Sequence, residues 1–186
     1  MTKKKLLWSG DCGAKTGFSR VTEGLLPHLS KEYEVIILAN NWWGDPHPLQ
    51  KDYVMIPSSN RFQQEPFGVQ RIREIVENIK PDVVLVMNDA WITNQLYQQI
   101  KDLHEAGNFK FIAYQPMDSY GWTGVLADFA NAYDARICYT VFGAEEWARS
   151  GMTGVIDVIP HGVDLAAFFP LDKQECRKQL GIDEDA

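Results

Sequence analysis

The sequence predicts an α/β fold, a three-layer domain on a mostly parallel sheet of about seven strands. Two observations carry this reading. Apolar runs of strand length alternate with segments of helical periodicity, the pattern of βαβ units around a sheet buried on both faces. The 186 residues, 45% hydrophobic and 23% charged, also hold enough apolar material for one sizeable core.

The elements follow in order. A first strand at Lys5 to Ser9 stands behind a basic run, Lys3 to Lys5. That run reads as a solvated flank, because the apolar LLW after it is far too short for a signal-peptide core or a membrane span. The loop GDCGAKTGFSR leads into a first helix at about Phe18 to Leu29, and strands follow at Glu34 to Ala39 and Tyr53 to Ile56. Val69, Ile72, Ile75, Val76 and Ile79 repeat at helical spacing before Pro81, as do Leu96, Ile100 and Leu103 before Gly107. Between these two helices lies a strand at Asp82 to Met87.

Further strands are expected at Lys110 to Tyr114, Ala135 to Tyr139 and Val155 to Ile159. Helices at Thr123 to Tyr133 and Ala144 to Ser150 separate them, the second stopped by Gly151. Lys173 to Leu180 reads as a helix so poor in apolar residues that it needs another surface to pack on. The loops Asn40 to Lys51 and Pro57 to Gly68 are long for a compact α/β domain, and long strand-end loops usually carry function.

The net charge of −7 argues against nucleic acid or an anionic membrane as partner, since either calls for a basic face. Cys12, Cys138 and Cys176 are odd in number and far apart, which indicates reduced thiols and no disulfide framework or zinc knuckle. A cytoplasmic protein is expected. Cys12 follows the first strand, but no base can be paired with it as a nucleophile from sequence. His28, His47 and His104 are scattered, so neither a metal nor another cofactor is expected. Asp183, Glu184 and Asp185 read as a solvated tail and not as a metal motif.

Open parallel sheets bind ligands outside the carboxyl ends of their strands. The residues there are Gly13 and Gly17 after the first strand, Trp42 and Trp43 after the second, and Asn88, Asp89 and Trp91 after the fourth. Gln115, Asp118 and Trp122 follow the fifth, and His161 and Gly162 the last. The first loop is not a P-loop, because Lys15 and Thr16 precede Gly17. A dinucleotide fingerprint is also missing, and the second strand ends in Ala39-Asn40-Asn41 with no carboxylate for a ribose. Its glycines serve either close approach of a phosphate or simply a tight turn. Asp118 reads either as a carboxylate that steadies developing positive charge or as a turn aspartate, and Asp89 as a helix cap near Thr93. Trp42, Trp43 and Trp122 either stack on sugar rings or pack their loops onto the sheet.

The segment VIPHGVDLAAFFPLDKQECRKQLG, from Val158 to Gly181, is the most specific in the chain. A strand running into Pro-His-Gly-Val-Asp, then Phe-Pro, Arg and Leu-Gly resembles the hinge of retaining GT-B glycosyltransferases of family 4. The resemblance implies that residues 1–170 are the Rossmann-like, acceptor-side half of a GT-B fold. Residues 171–186 would then be the hinge and the start of a linker to a missing C-terminal, donor-binding domain. It implies a nucleotide-sugar donor, an unknown acceptor, no metal, and no activity in this half alone. Contacts to donor or acceptor would fall on Gly13, Gly17, Asn88, Asp89, Gln115, His161 and Gly162, with Asp118 nearest the reaction centre. The chain departs from the family's histidines after the fourth and fifth strands, where it has Asn88-Asp89 and YQPMDSYGW. Three other readings stand beside this one. They are a stand-alone carbohydrate-binding or accessory domain, half of a nucleotide-sugar epimerase, and an interaction module that self-associates through an exposed cleft face.

Overall fold

A computed structural model describes residues 2–59, 65–122 and 124–183. Seven strands form one sheet: β1 Lys4–Asp11, β2 Tyr33–Asn40, β3 Val54–Pro57, β4 Val83–Met87, β5 Lys110–Gln115, β6 Ala135–Cys138 and β7 Asp157–Val158. Their order is β3-β2-β1-β4-β5-β6-β7, and every neighbouring pair is parallel. The sheet is thus wholly parallel, since no connection is short enough for a hairpin. The order reverses between β1 and β4, which opens a crevice at their carboxyl ends.

The helices are α1 Gly17–Glu32, α2 Ile72–Ile79, α3 Ala90–Glu105, α4 Gly124–Asn131, α5 Val141–Arg149 and α6 Lys173–Leu180. Thr123, the expected first residue of the fourth helix, lies outside the described residues, as do Glu184 and Asp185 of the tail. α1 begins where Thr16 and Ser19 form a reciprocal capping box, and it runs past Pro27 to Glu32, three residues beyond the expected Leu29. Lys80, in the left-handed region at φ 52°, closes α2 just before Pro81. Gly151, at φ 97°, ends α5 as expected. α3 starts at Ala90, well before the apolar repeat that revealed it, because Ala90, Ile92 and Thr93 are buried too.

Strand alternation sorts the core into two layers. Leu7, Leu38, Val84, Val86, Phe111 and Ala113 face α2 to α5, and Leu6, Trp8, Val35 and Ile37 face α1. Trp8 is completely buried, so truncating it to alanine would cost about 3–5 kcal/mol. One expectation is corrected here. Among the described residues α1 alone packs on the second face, over β1 and β2. Val83, Leu85, Ile112 and Ile137 of β4 to β6 are only partly buried on that face, so the sheet is not fully covered on both sides. α6 has no buried residue, as its composition suggested.

Candidate functional site

Register places one polar side chain per strand in a row along the carboxyl edge. Asn40 pairs with Asp11 across β2 and β1, and Asn88 and Gln115 continue the same level on β4 and β5. All four share the parity of the α2–α5 face, and none is more than 3% exposed. Asp11 is the latch of this row. Its carboxylate accepts the Thr16 hydroxyl at 2.5 Å and the Asn41 amide at 3.3 Å, which ties the loops after β1 and β2 together. The Asn88 amide oxygen accepts the Asp89 N–H at 2.9 Å. Both side-chain polar atoms of Asn40, and Gln115 Nε2, are buried with no partner among the described residues.

The opposite parity carries the reactive groups. Tyr114 and Tyr139 project toward the face that no α-helix covers above β5 and β6, where the chain after β7 crosses, and Asp89, just past β4, lies near Tyr139 and Asp118. The Tyr114 hydroxyl donates to the Ile159 carbonyl at 2.9 Å, which seats that crossing segment. His161 then lies 4.0 Å from the Tyr139 ring and 5.6 Å from Tyr114, centroid to centroid. Partial desolvation lowers the His161 pKa from its ordinary value, although the residue as a whole is exposed. Desolvation pushes the Tyr139 phenol up, followed by the charges of Tyr114 and Asp89. Its hydroxyl is buried and has no partner among the described residues.

Asp89 occupies the cap position of α3, but its side chain makes no capping bond. The helix-cap reading of this residue is therefore replaced by another. Its carboxylate is half-buried, pairs with no Lys or Arg among the described residues, and has its pKa raised by desolvation and then by the neighbouring charge of Asp118. Asp118 itself is exposed on the loop after β5. A partly desolvated carboxylate beside a like charge, just past a strand's carboxyl end, is a functional-site candidate.

The remaining sequence candidates separate. A Cβ on Gly13 would stand 1.8 Å from the Asn41 carbonyl oxygen, so the close approach there is to the chain's own backbone. Gly17 opens α1 just after the Thr16 cap, with no atom within 4 Å of such a Cβ. Gly162 is likewise open. Trp42 is buried at 5% and donates its indole N–H to the Asp45 carbonyl, so it packs its loop, whereas Trp43 is 55% exposed. Trp91, 47% exposed on the first turn of α3, stands edge-on to Phe67. Trp122 leaves the strand ends, because its loop descends along α5 and the ring rests on Trp147.

Burial pushes the Cys12 thiol up to about 12, helped by Asp11 and Glu23, so it is no nucleophile at neutral pH. No three His, Cys, Asp or Glu residues converge as a metal set among the described residues. A depression of about 390 Å³ lined by Val76, Lys80, Pro81, Leu103 and Phe109 lies at the amino ends of β4 and β5, away from this chemistry. No described helix is long and apolar enough to cross a membrane.

A family model described as Glycosyltransferase Family 4 matches residues 16–167. A solved structure from Listeria monocytogenes, described as a UDP-N-acetylglucosamine 2-epimerase, aligns with a TM-score of 0.51 at 15% identity. The alignment covers 82% of this chain and 44% of that one, and at such identity the likeness is one of fold. The signal recognition particle 54 kDa protein of Staphylothermus marinus is 40% identical over 55 residues, a local likeness spanning 30% of this chain and 12% of that protein.

Proposed function

The chain belongs to glycosyltransferase family 4, and from that premise we propose that it is the acceptor-side half of a retaining, metal-independent GT-B enzyme. That enzyme moves a sugar from a nucleotide-sugar donor to an acceptor. The observation that carries the reading is Asp89, a half-buried carboxylate without a counter-ion, just past β4 near Tyr139 and Asp118.

Each group has a part in this proposal. As the glycosidic bond to the leaving phosphate breaks, positive charge develops on the sugar ring, and a partly desolvated carboxylate stabilises it more than an exposed one does. Asp89 therefore takes the role first assigned by position to Asp118, and Asp118 keeps a neighbouring charge that tunes it. The first N–H groups of α1, at Gly17 and Phe18 ahead of the capped Ser19, receive donor phosphate. His161 and the Tyr139 hydroxyl bind sugar or acceptor hydroxyls. The nucleotide base and ribose are held by a second domain after the hinge segment at residues 158–181, so residues 1–186 alone transfer negligibly.

Exposed Leu165, Phe168, Phe169 and Leu171, each more than half accessible, support a hinge that another surface covers. The test is a ¹⁵N–¹H titration of the chain with UDP-, GDP- and ADP-sugars. Shifts gathered at Gly17, Asp89, Gln115 and His161 are expected. Shifts confined to the amino ends of the strands would refute the site.

A further inference from the structure

Trp122 has no place in the strand-end cleft, and the cavity beside it has no role in the function proposed above. Between its loop and the second half of α5 lies a space of about 490 Å³, lined by Tyr120, Gly121, Trp122, Glu146, Arg149 and Ser150. That volume falls within the roughly 300–1,000 Å³ typical of small-molecule sites.

The walls are fixed before any ligand arrives. The Trp122 indole N–H is spent on the Ser119 carbonyl at 3.0 Å, and the ring leans on Trp147 with centroids 6.1 Å apart. What Trp122 can offer a ligand is ring surface and not its donor. Tyr120, 77% exposed, is steadied edge-on by Phe142.

The floor is polar and incompletely satisfied. Glu146 is only 4% exposed, and Arg149 Nη1 holds one of its carboxylate oxygens. The other oxygen makes no hydrogen bond among the described residues. Arg149 is shared with Glu145 at 3.2 Å, so two carboxylates face one guanidinium. Ser150 donates to the Trp147 carbonyl at 2.7 Å, which leaves its oxygen free to accept.

This combination selects among ligands. An anion would meet the excess negative charge of Glu145 and Glu146. A wholly apolar ligand would strip water from the second Glu146 oxygen and return nothing, which is costly for a buried carboxylate. A neutral polyhydroxylated ring meets both demands, with its C–H face against indole and its hydroxyls donating to Glu146 and Ser150 and accepting from Arg149.

We propose that the cavity between the Trp122 loop and α5 is a second binding site, for a neutral carbohydrate, separate from the strand-end cleft. It holds a glycan through ring stacking and the Glu146–Arg149 pair. The inference does not depend on the role given to Asp89.

Trp indole ¹⁵N–¹H resonances of the chain, assigned with Trp→Phe variants, provide the test in titrations with maltose, cellobiose, lactose and N,N′-diacetylchitobiose. At least one disaccharide should shift the Trp122 indole saturably, and Glu146→Gln should weaken that binding about tenfold, the effect of one charged hydrogen bond. Tyr120→Ala, at an exposed position, should weaken it as well without altering the fold. Asp89→Asn should leave it unchanged. A shift only at Trp43 or Trp91 would place the sugar in the cleft and overturn the proposal. So would the absence of a saturable shift at Trp122 with any of the four probes.

Discussion

Asp134, in the turn before β6, ties β5 and α3 to that turn through one carboxylate. It accepts Lys110 Nζ at 2.8 Å and the Phe111 N–H at 2.8 Å, and His104 Nε2 stands 2.7 Å away. The other imidazole nitrogen lies 3.0 Å from the hydroxyl of fully buried Tyr97. Partial desolvation raises the Asp134 pKa, but these hydrogen bonds outweigh it and hold the group down to about 2. A folded pKa below the unfolded value means stability that is complete above about pH 4 and is lost as pH falls through about 2. Solvent screening at this exposed turn reduces what the shift contributes to about 1 kcal/mol. Asp134→Ala should therefore lower the urea-unfolding free energy by about 1 kcal/mol at pH 7, with the gap to wild type narrowing below pH 4. An unchanged gap at pH 2.5 would contradict this assignment.

The same scale shows what the amino-acid string revealed of the site. That Asn40, Asp11, Asn88 and Gln115 end their strands is plain from sequence, and strand alternation alone aligns them. The importance of Asp89 is not. Its isolation depends on Asp118 arriving from another loop and on the absence of a capping bond, neither of which is a local property. Tyr139 was hidden because an aromatic at a strand end reads as core until its hydroxyl is found without a partner.

At the scale of elements, the β1–α1 loop separates two glycines that look alike in sequence. Gly13→Ala drives a methyl into the Asn41 backbone and should cost about 3 kcal/mol of stability, read as a lowered urea midpoint. Gly17→Ala meets nothing and should stabilise by a few tenths of a kcal/mol, since alanine is the better helix former. If Gly17 also faces donor phosphate, Gly17→Leu should weaken nucleotide-sugar binding several-fold while leaving the unfolding midpoint near that of wild type. The helices were legible through their apolar repeats and stop signals, Pro81, Gly107 and Gly151. The path of the loop carrying Trp122 was not, because it follows from Met117 and Trp122 packing along α5 and not from any periodicity.

At the scale of the molecule, the chain is covered unevenly. One sheet face is packed by α2 to α5, and the other is open over β4 to β6 beside an exposed apolar run in the hinge. Such a surface seeks a partner. The chain alone should therefore show sedimentation coefficients that rise with concentration, and Phe168→Asp with Phe169→Ser should abolish the rise. A concentration-independent monomer would mean that this surface is tolerated in water as it stands. Seven parallel strands and their flanking helices could be read from the sequence. The one-sided covering could not, because a buried-strand pattern looks the same whether its second face meets a helix in this segment or another surface.

The most direct measurement is the pH–rate profile of sugar transfer by the complete polypeptide, compared for wild type, Asp89→Asn and Asp118→Asn. Loss of a partly buried charge facing the transition state should lower kcat at least about a hundredfold in Asp89→Asn. Asp118→Asn should remain active, with its acid limb moved to lower pH, because removing a like charge eases ionisation of Asp89. Full activity in Asp89→Asn, or equal loss in both variants with no movement of the acid limb, would contradict an Asp89-centred site.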